Sequence, residues 1–86
     1  MRRGSVYPIL AGMLENWRGR PVEELKAMVG RTAESRDVEI DGQIYSIEVG
    51  VSASSTSANV LVIEVVARGY NEQASPRFEE RIEVQL

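Results

Sequence analysis

The dipeptide Asp41-Gly42 stands between two alternating stretches, and it constrains the fold more than any other feature of the chain. A two-residue type I′ turn needs positive φ at both central positions, a demand that Asp-Gly meets. Before the turn, Val38 and Ile40 alternate with Asp37, Glu39 and Asp41. After it, Tyr45, Ile47, Val49 and Val51 alternate with Ser46, Glu48, Gly50 and Ser52. Folding the chain at the turn sets Ile40 opposite Gln43, Val38 opposite Tyr45 and Arg36 opposite Ile47. Cross-strand partners share a face, so Val38, Ile40, Tyr45, Ile47, Val49 and Val51 all point one way. Turn chemistry and period agree, which predicts strands over about residues 35–41 and 43–52.

Two further strands follow from pattern. Residues 60–67 run Val-Leu-Val-Ile-Glu-Val-Val-Ala. Such a β-branched segment reads as a central strand over about 59–68. Phe78, Ile82, Val84 and Leu86 alternate with Arg77, Glu79, Arg81, Glu83 and Gln85, giving a last strand over about 77–85 with one wet face. The connector 52–59 is Ser-Ala-Ser-Ser-Thr-Ser-Ala-Asn, with no periodicity and no large apolar side chain, and reads as a mobile loop. A second loop runs from Gly69 to Pro76.

Ahead of the hairpin the period is helical. Val6, Leu10, Met13, Leu14 and Trp17 form one stripe of a 3.6-residue repeat, widened by Ile9. Ser5 is the expected N-cap, Pro8 sits in the first turn and Gly19 ends the helix, over about 6–17. Pro21 starts a second helix over about 21–29, with Glu23 and Glu24 in its first turn and Gly30 after it. Val22, Leu25, Met28 and Val29 form its apolar side. A helix this short is held by packing rather than by propensity.

Residues 1–86 are therefore expected to form a single α+β domain, with two N-terminal helices on one face of a four-stranded antiparallel meander sheet in the order 1-2-3-4. Trp17, Leu10, Leu14, Leu25 and Met28 would pack on the inward residues of the strands.

Composition limits the chemistry. The chain contains no Cys and no His. Disulfides, thiolate zinc sites, thiol nucleophiles and imidazole-dependent mechanisms are thereby excluded. The formal charge is −3, against a phosphate-binding surface extending over the whole molecule. The charge is divided, however. Residues 1–36 hold seven basic and four acidic side chains, and residues 37–86 hold three basic and nine acidic. Arg2 and Arg3 precede the apolar stretch Val6–Leu14, but Pro8 and Gly12 interrupt it and Glu15 follows without a cleavage motif. A cytoplasmic, non-secreted protein is expected, and no apolar run reaches the length of a membrane span.

No assembled catalytic, cofactor or metal site emerges. Asp37, Glu39 and Asp41 share one face of a strand, but alternate strand residues stand about 6–7 Å apart, which suits a solvated face better than a cation site. The hydroxyls of Ser54, Ser55, Thr56 and Ser57 have no histidine to serve as base, and Lys26 is the one lysine. The loop lacks the phosphate-binding pattern of glycines followed by Lys-Ser/Thr. Glu80 falls on the apolar phase of the last strand. It is expected to lie beyond the helical cover or to meet an Arg of the helical half.

The feature with most functional content is the second face of the sheet. If Leu61, Ile63, Val65 and Ala67 face the helices, then Val60, Val62, Val66 and Tyr70 face away, together with Ile44. A sheet face turned to water is normally polar, and an apolar patch there marks an interaction surface. The expected function is thus a non-enzymatic protein-interaction domain. It would form a homodimer or bind another protein through Ile44, Val60, Val62, Val66 and Tyr70, with Glu64 and Arg68 at the rim. A second reading makes it a nucleic-acid or acidic-ligand binder using Arg2, Arg3, Arg18, Arg20, Arg31 and Arg36.

Overall fold

A computed structural model describes residues 6–40, 42–69 and 77–86. Two helices, α1 (Tyr7–Arg18) and α2 (Val22–Ala27), precede four strands: β1 (Thr32–Ile40), β2 (Gln43–Ala53), β3 (Val60–Gly69) and β4 (Arg77–Gln85). The strands form one antiparallel sheet in the order β1-β2-β3-β4. The helices lie on one of its faces, as the sequence predicts.

The hairpin register is the one set by the turn: Ile40 pairs with Gln43, Val38 with Tyr45 and Arg36 with Ile47. Gly42 has φ +79°, a conformation that L side chains adopt only under strain. Asp41 lies outside the described residues. β1 begins three residues earlier than the pattern predicts, and its register shifts between Thr32 and Glu34. Its first half has no apolar alternation because β1 is an outer strand whose inner face there carries Glu34 and Arg36.

Helix α1 departs from expectation at its start. Val6, not Ser5, occupies the N-cap position, and no side chain caps the helix. Val6 is fully buried, so packing supplies there what a capping hydroxyl would otherwise give. Ser5 lies outside the described residues. Gly19 ends the helix in the right-handed region, at φ −78°. Helix α2 is shorter than 21–29. Pro21 is its N-cap rather than its first helical residue, and Met28 is its C-cap. Val29 has left the helix to make a parallel bridge to Val51, and Gly30 N–H donates to Val51 O at 3.1 Å. That contact turns the chain from α2 into β1, with Gly30 at φ +79°.

The core follows the two periodicities. Leu10, Met13, Leu14 and Trp17 from α1 and Leu25 from α2 are buried against Tyr45, Ile47, Val49, Val51, Leu61, Ile63, Val65, Ala67 and Phe78. Helix α1 packs mainly on β3 and β4. Tyr7 meets the Phe78 ring edge-on at 5.5 Å between centroids. At the other end of α1, Trp17 Nε1–H donates to Glu34 Oε1 on β1 at 2.9 Å. Glu80 stands opposite Val65 on the helical face and is exposed beside Glu15 at the sheet rim. It borders the groove between α1 and β4 rather than lying beyond the helical cover, and among the described residues no ion pair joins it to an Arg of the helical half. No helix among the described residues is long and apolar enough to cross a membrane.

Candidate functional site: the open sheet face

Strand β3 separates a covered side from an open one. Leu61, Ile63, Val65 and Ala67 are buried, whereas Val60, Val62, Glu64 and Val66 between them are half-buried and Arg68 is exposed. No described segment lies over this second side. Ile44 of β2 belongs to the same face and is 48 % exposed. The structure thus places Ile44, Val60, Val62, Val66, Glu64 and Arg68 on one surface. Tyr70 lies outside the described residues.

Cross-strand rows show what surrounds each apolar side chain. Val66 stands between Glu48 on β2 and Glu79 on β4. Val62 stands between Ser52 and Glu83, and Glu64 between Gly50 and Arg81. Arg68 lies between Ser46 and Arg77. Asp37 and Glu39 extend the face onto β1, opposite Ser46 and Ile44. The apolar stripe is therefore a ridge one residue wide, flanked by charge. Six carboxylates (Asp37, Glu39, Glu48, Glu64, Glu79, Glu83) share the face with three guanidinium groups (Arg68, Arg77, Arg81). The net sign is negative. Asp37 and Glu39 are exposed on this face, as a solvated edge requires, and among the described residues no cluster of acidic side chains is placed to hold a metal ion.

One part of the face is concave. Gly50 contributes no side chain beside Glu64, and the 52–59 loop rises at the end of the β2–β3 pair. Between them is a hollow of about 250 Å³ floored by Val62 and walled by Ser54, Thr56, Glu64, Arg81 and Glu83. The loop wall is organised by one side chain. Ser54 Oγ accepts from Thr56 N–H at 3.2 Å and from Ser57 N–H at 3.3 Å, and lies 3.2 Å from Thr56 Oγ1. This is a hydroxyl-to-backbone turn of the kind short Ser/Thr segments favour. It fixes a wall that composition alone reads only as a connector.

The arginines of the helical half sit elsewhere and are mostly matched. Arg18 pairs with Glu15 at 3.4 Å, Arg20 with Glu24 at 2.8 Å and Arg36 with Glu34 at 3.5 Å. Arg20 also donates to Asn16 Oδ1 at 3.1 Å and lies 3.7 Å above the Trp17 ring centroid. Arg31 is exposed, and Arg2 and Arg3 lie outside the described residues. Arg20 and Arg36 do converge on a groove of about 570 Å³ between α1 and β1, with Ile9, Met13 and Trp17 among its apolar lining. Sequence reasoning missed this groove because it depends on Glu34, which bridges Trp17 and Arg36 across two layers. Its guanidinium groups already face carboxylates, so it presents paired charge rather than an open cationic stripe.

Comparison with known proteins finds no matching family model, no matching curated protein and no matching solved structure.

Proposed function

We propose that this chain is a non-enzymatic protein-interaction domain, cytoplasmic in setting, that docks a protein partner on the open sheet face. The observation that carries the reading is the hollow at Val62: an apolar floor inside a mixed, net acidic wall. Its fit is to a long basic side chain whose methylene stem lies on Val62 and whose charged head reaches Glu64 and Glu83. Val60, Val66 and Ile44 extend apolar contact along the ridge. Arg68 and Arg77 at one end discriminate orientation, because a partner docked backwards would bring its cations onto them. A second copy of this chain suits the same face less well, since stacking two faces of the same net sign brings more carboxylates than guanidinium groups together.

The test uses the immobilised full chain and binding partners recovered from its native extract. Val62→Arg fills the hollow and neutralises its net charge. It is expected to lower retention of the partner by at least about tenfold, with stability changed by no more than about 1 kcal/mol, as for other surface substitutions. Arg18→Glu, on the helical layer, is expected to leave retention unchanged. A partner retained equally by Val62→Arg and lost with Arg18→Glu contradicts the proposal.

A further inference from the structure

The free edge of β4 carries the means to pair with itself. No described segment lies beyond β4 in the sheet. Leu86 N–H donates to Asn59 O at 2.8 Å, one step past the Val60–Gln85 pair. In an antiparallel ladder alternate residues turn their backbone groups to opposite sides. Even-numbered residues of β4 therefore bond β3, and Arg77, Glu79, Arg81, Glu83 and Gln85 direct N–H and C=O outward. Edge strands are commonly blunted by proline, a bulge or charged side chains, and β4 carries one inward-facing charge, Glu80. β4 contains no proline and pairs with β3 without a register shift, and its outer-face charges alternate in sign.

That alternation is self-complementary in two antiparallel registers, about Ile82 and about Glu80, and the helical face separates them. With a two-fold axis at Ile82, Arg81 faces Glu83 of the second copy and Glu83 faces Arg81. Glu79 faces Gln85. On the helical face Ile82 meets Ile82, Glu80 meets Val84 and Phe78 meets Leu86. An axis at Arg81 would oppose Arg81 to itself and Glu79 to Glu83. An axis at Glu80 would match Arg77 with Glu83 and Glu79 with Arg81 on the open face, but would oppose two Glu80 carboxylates in a non-hydrogen-bonded pair, where side chains approach most closely, and would forgo the Ile82–Ile82 contact. The apolar surface also collects here. Ile82 and Val84 are half-buried, Leu86 is 42 % exposed and Tyr7 37 % exposed. A groove of about 370 Å³ between α1 and β4 is lined by Ile82, Tyr7, Ala11 and Leu14, with the carboxylates of Glu15 and Glu80 also on its wall.

We infer that β4 pairs with β4 of a second copy of this chain, antiparallel about Ile82. The product is an eight-stranded sheet with α1 helices flanking the axis on one face and a doubled open face on the other. The inference does not rest on the partner site at Val62; Glu83 borders both surfaces, and cysteines at 80 and 82, on the helical face, separate the two.

Sedimentation equilibrium of the full chain from micromolar to millimolar concentration is expected to show a monomer–dimer equilibrium. Glu83→Pro removes an N–H that points away from β3, and it is expected to abolish the dimer. Glu83→Arg, which faces Arg81 on both sides of the axis, weakens it by on the order of tenfold and covers the case in which the proline variant does not fold. Register is read by oxidation, because the chain has no cysteine of its own. Ile82→Cys is expected to form a disulfide-linked dimer readily, since non-hydrogen-bonded partners lie about 4.5 Å apart at Cα, within disulfide range. Glu80→Cys is expected to form it slowly, its two copies being about 13 Å apart in this register. A monomer at every concentration, a dimer indifferent to Glu83→Arg but broken by Val62→Arg, or faster linkage at position 80 than at 82 would each overturn the inference.

Discussion

Ile63→Asp is expected to leave the chain unfolded or nearly so at 25 °C, while Val62→Asp, its immediate neighbour, stays folded. Ile63 is fully buried in the central strand, facing the helices and flanked by Val51 and Ile82. An aspartate there loses the burial of a large aliphatic side chain and places an unpaired carboxylate against apolar neighbours. The combined cost exceeds about 4 kcal/mol, which is most of the stability of a small domain. Val62 points to the other side of the sheet, where water reaches a new carboxylate. Its substitution costs about 1 kcal/mol, mostly lost β-propensity and added repulsion from Glu83 across the strand. Urea titration followed by Trp17 fluorescence measures both. Equal effects from the two positions would mean that the two sides of β3 are not distinguished by the helices.

The second large effect falls on α2. Its six residues are too few to be helical alone. Leu25 is the one fully buried residue it contributes, with Val22 and Met28 half-buried beside it. Leu25→Ala is expected to cost about 2–5 kcal/mol. The loss is expected to be local first. Amide hydrogens of residues 22–28 should exchange at rates approaching those of an unfolded peptide, while those of β3 remain protected by the rest of the core. A loss below about 1 kcal/mol with α2 amides still protected would show that the Val29–Val51 bridge and the Gly30 hydrogen bond suffice to hold this segment.

The parts of this structure that were legible in sequence are those where two independent local signals coincide. At the hairpin, Asp41-Gly42 fixes the turn and the flanking period fixes the face, so the whole β1–β2 register follows. In β3 the phase of Leu61, Ile63 and Val65 against Val60, Val62 and Val66 was readable, because burial on one face dictates the other. What was not legible depends on contacts between distant segments. The start of β1 is polar in sequence because its inner-face Glu34 answers Trp17, and Arg36 answers Glu34, rather than a local apolar pattern. Helix α1 takes Val6 as its N-cap because that valine is buried against the core, a tertiary gain that replaces capping. The same holds for the candidate site. Its valine ridge is visible from alternation, but the hollow at Val62 needs the turn that Ser54 builds.

The sheet is covered on one side and open on the other. The most direct test is thiol labelling of single-cysteine variants along β3, which the absence of native cysteine makes unambiguous. Cysteines at 60, 62 and 66 are expected to react within a few-fold of the rate of a free peptide thiol. Those at 61, 63 and 65 are expected to react only as fast as the chain opens. Equal protection at both sets of positions would contradict the account, because it would require a layer of the molecule to lie over Val60, Val62 and Val66.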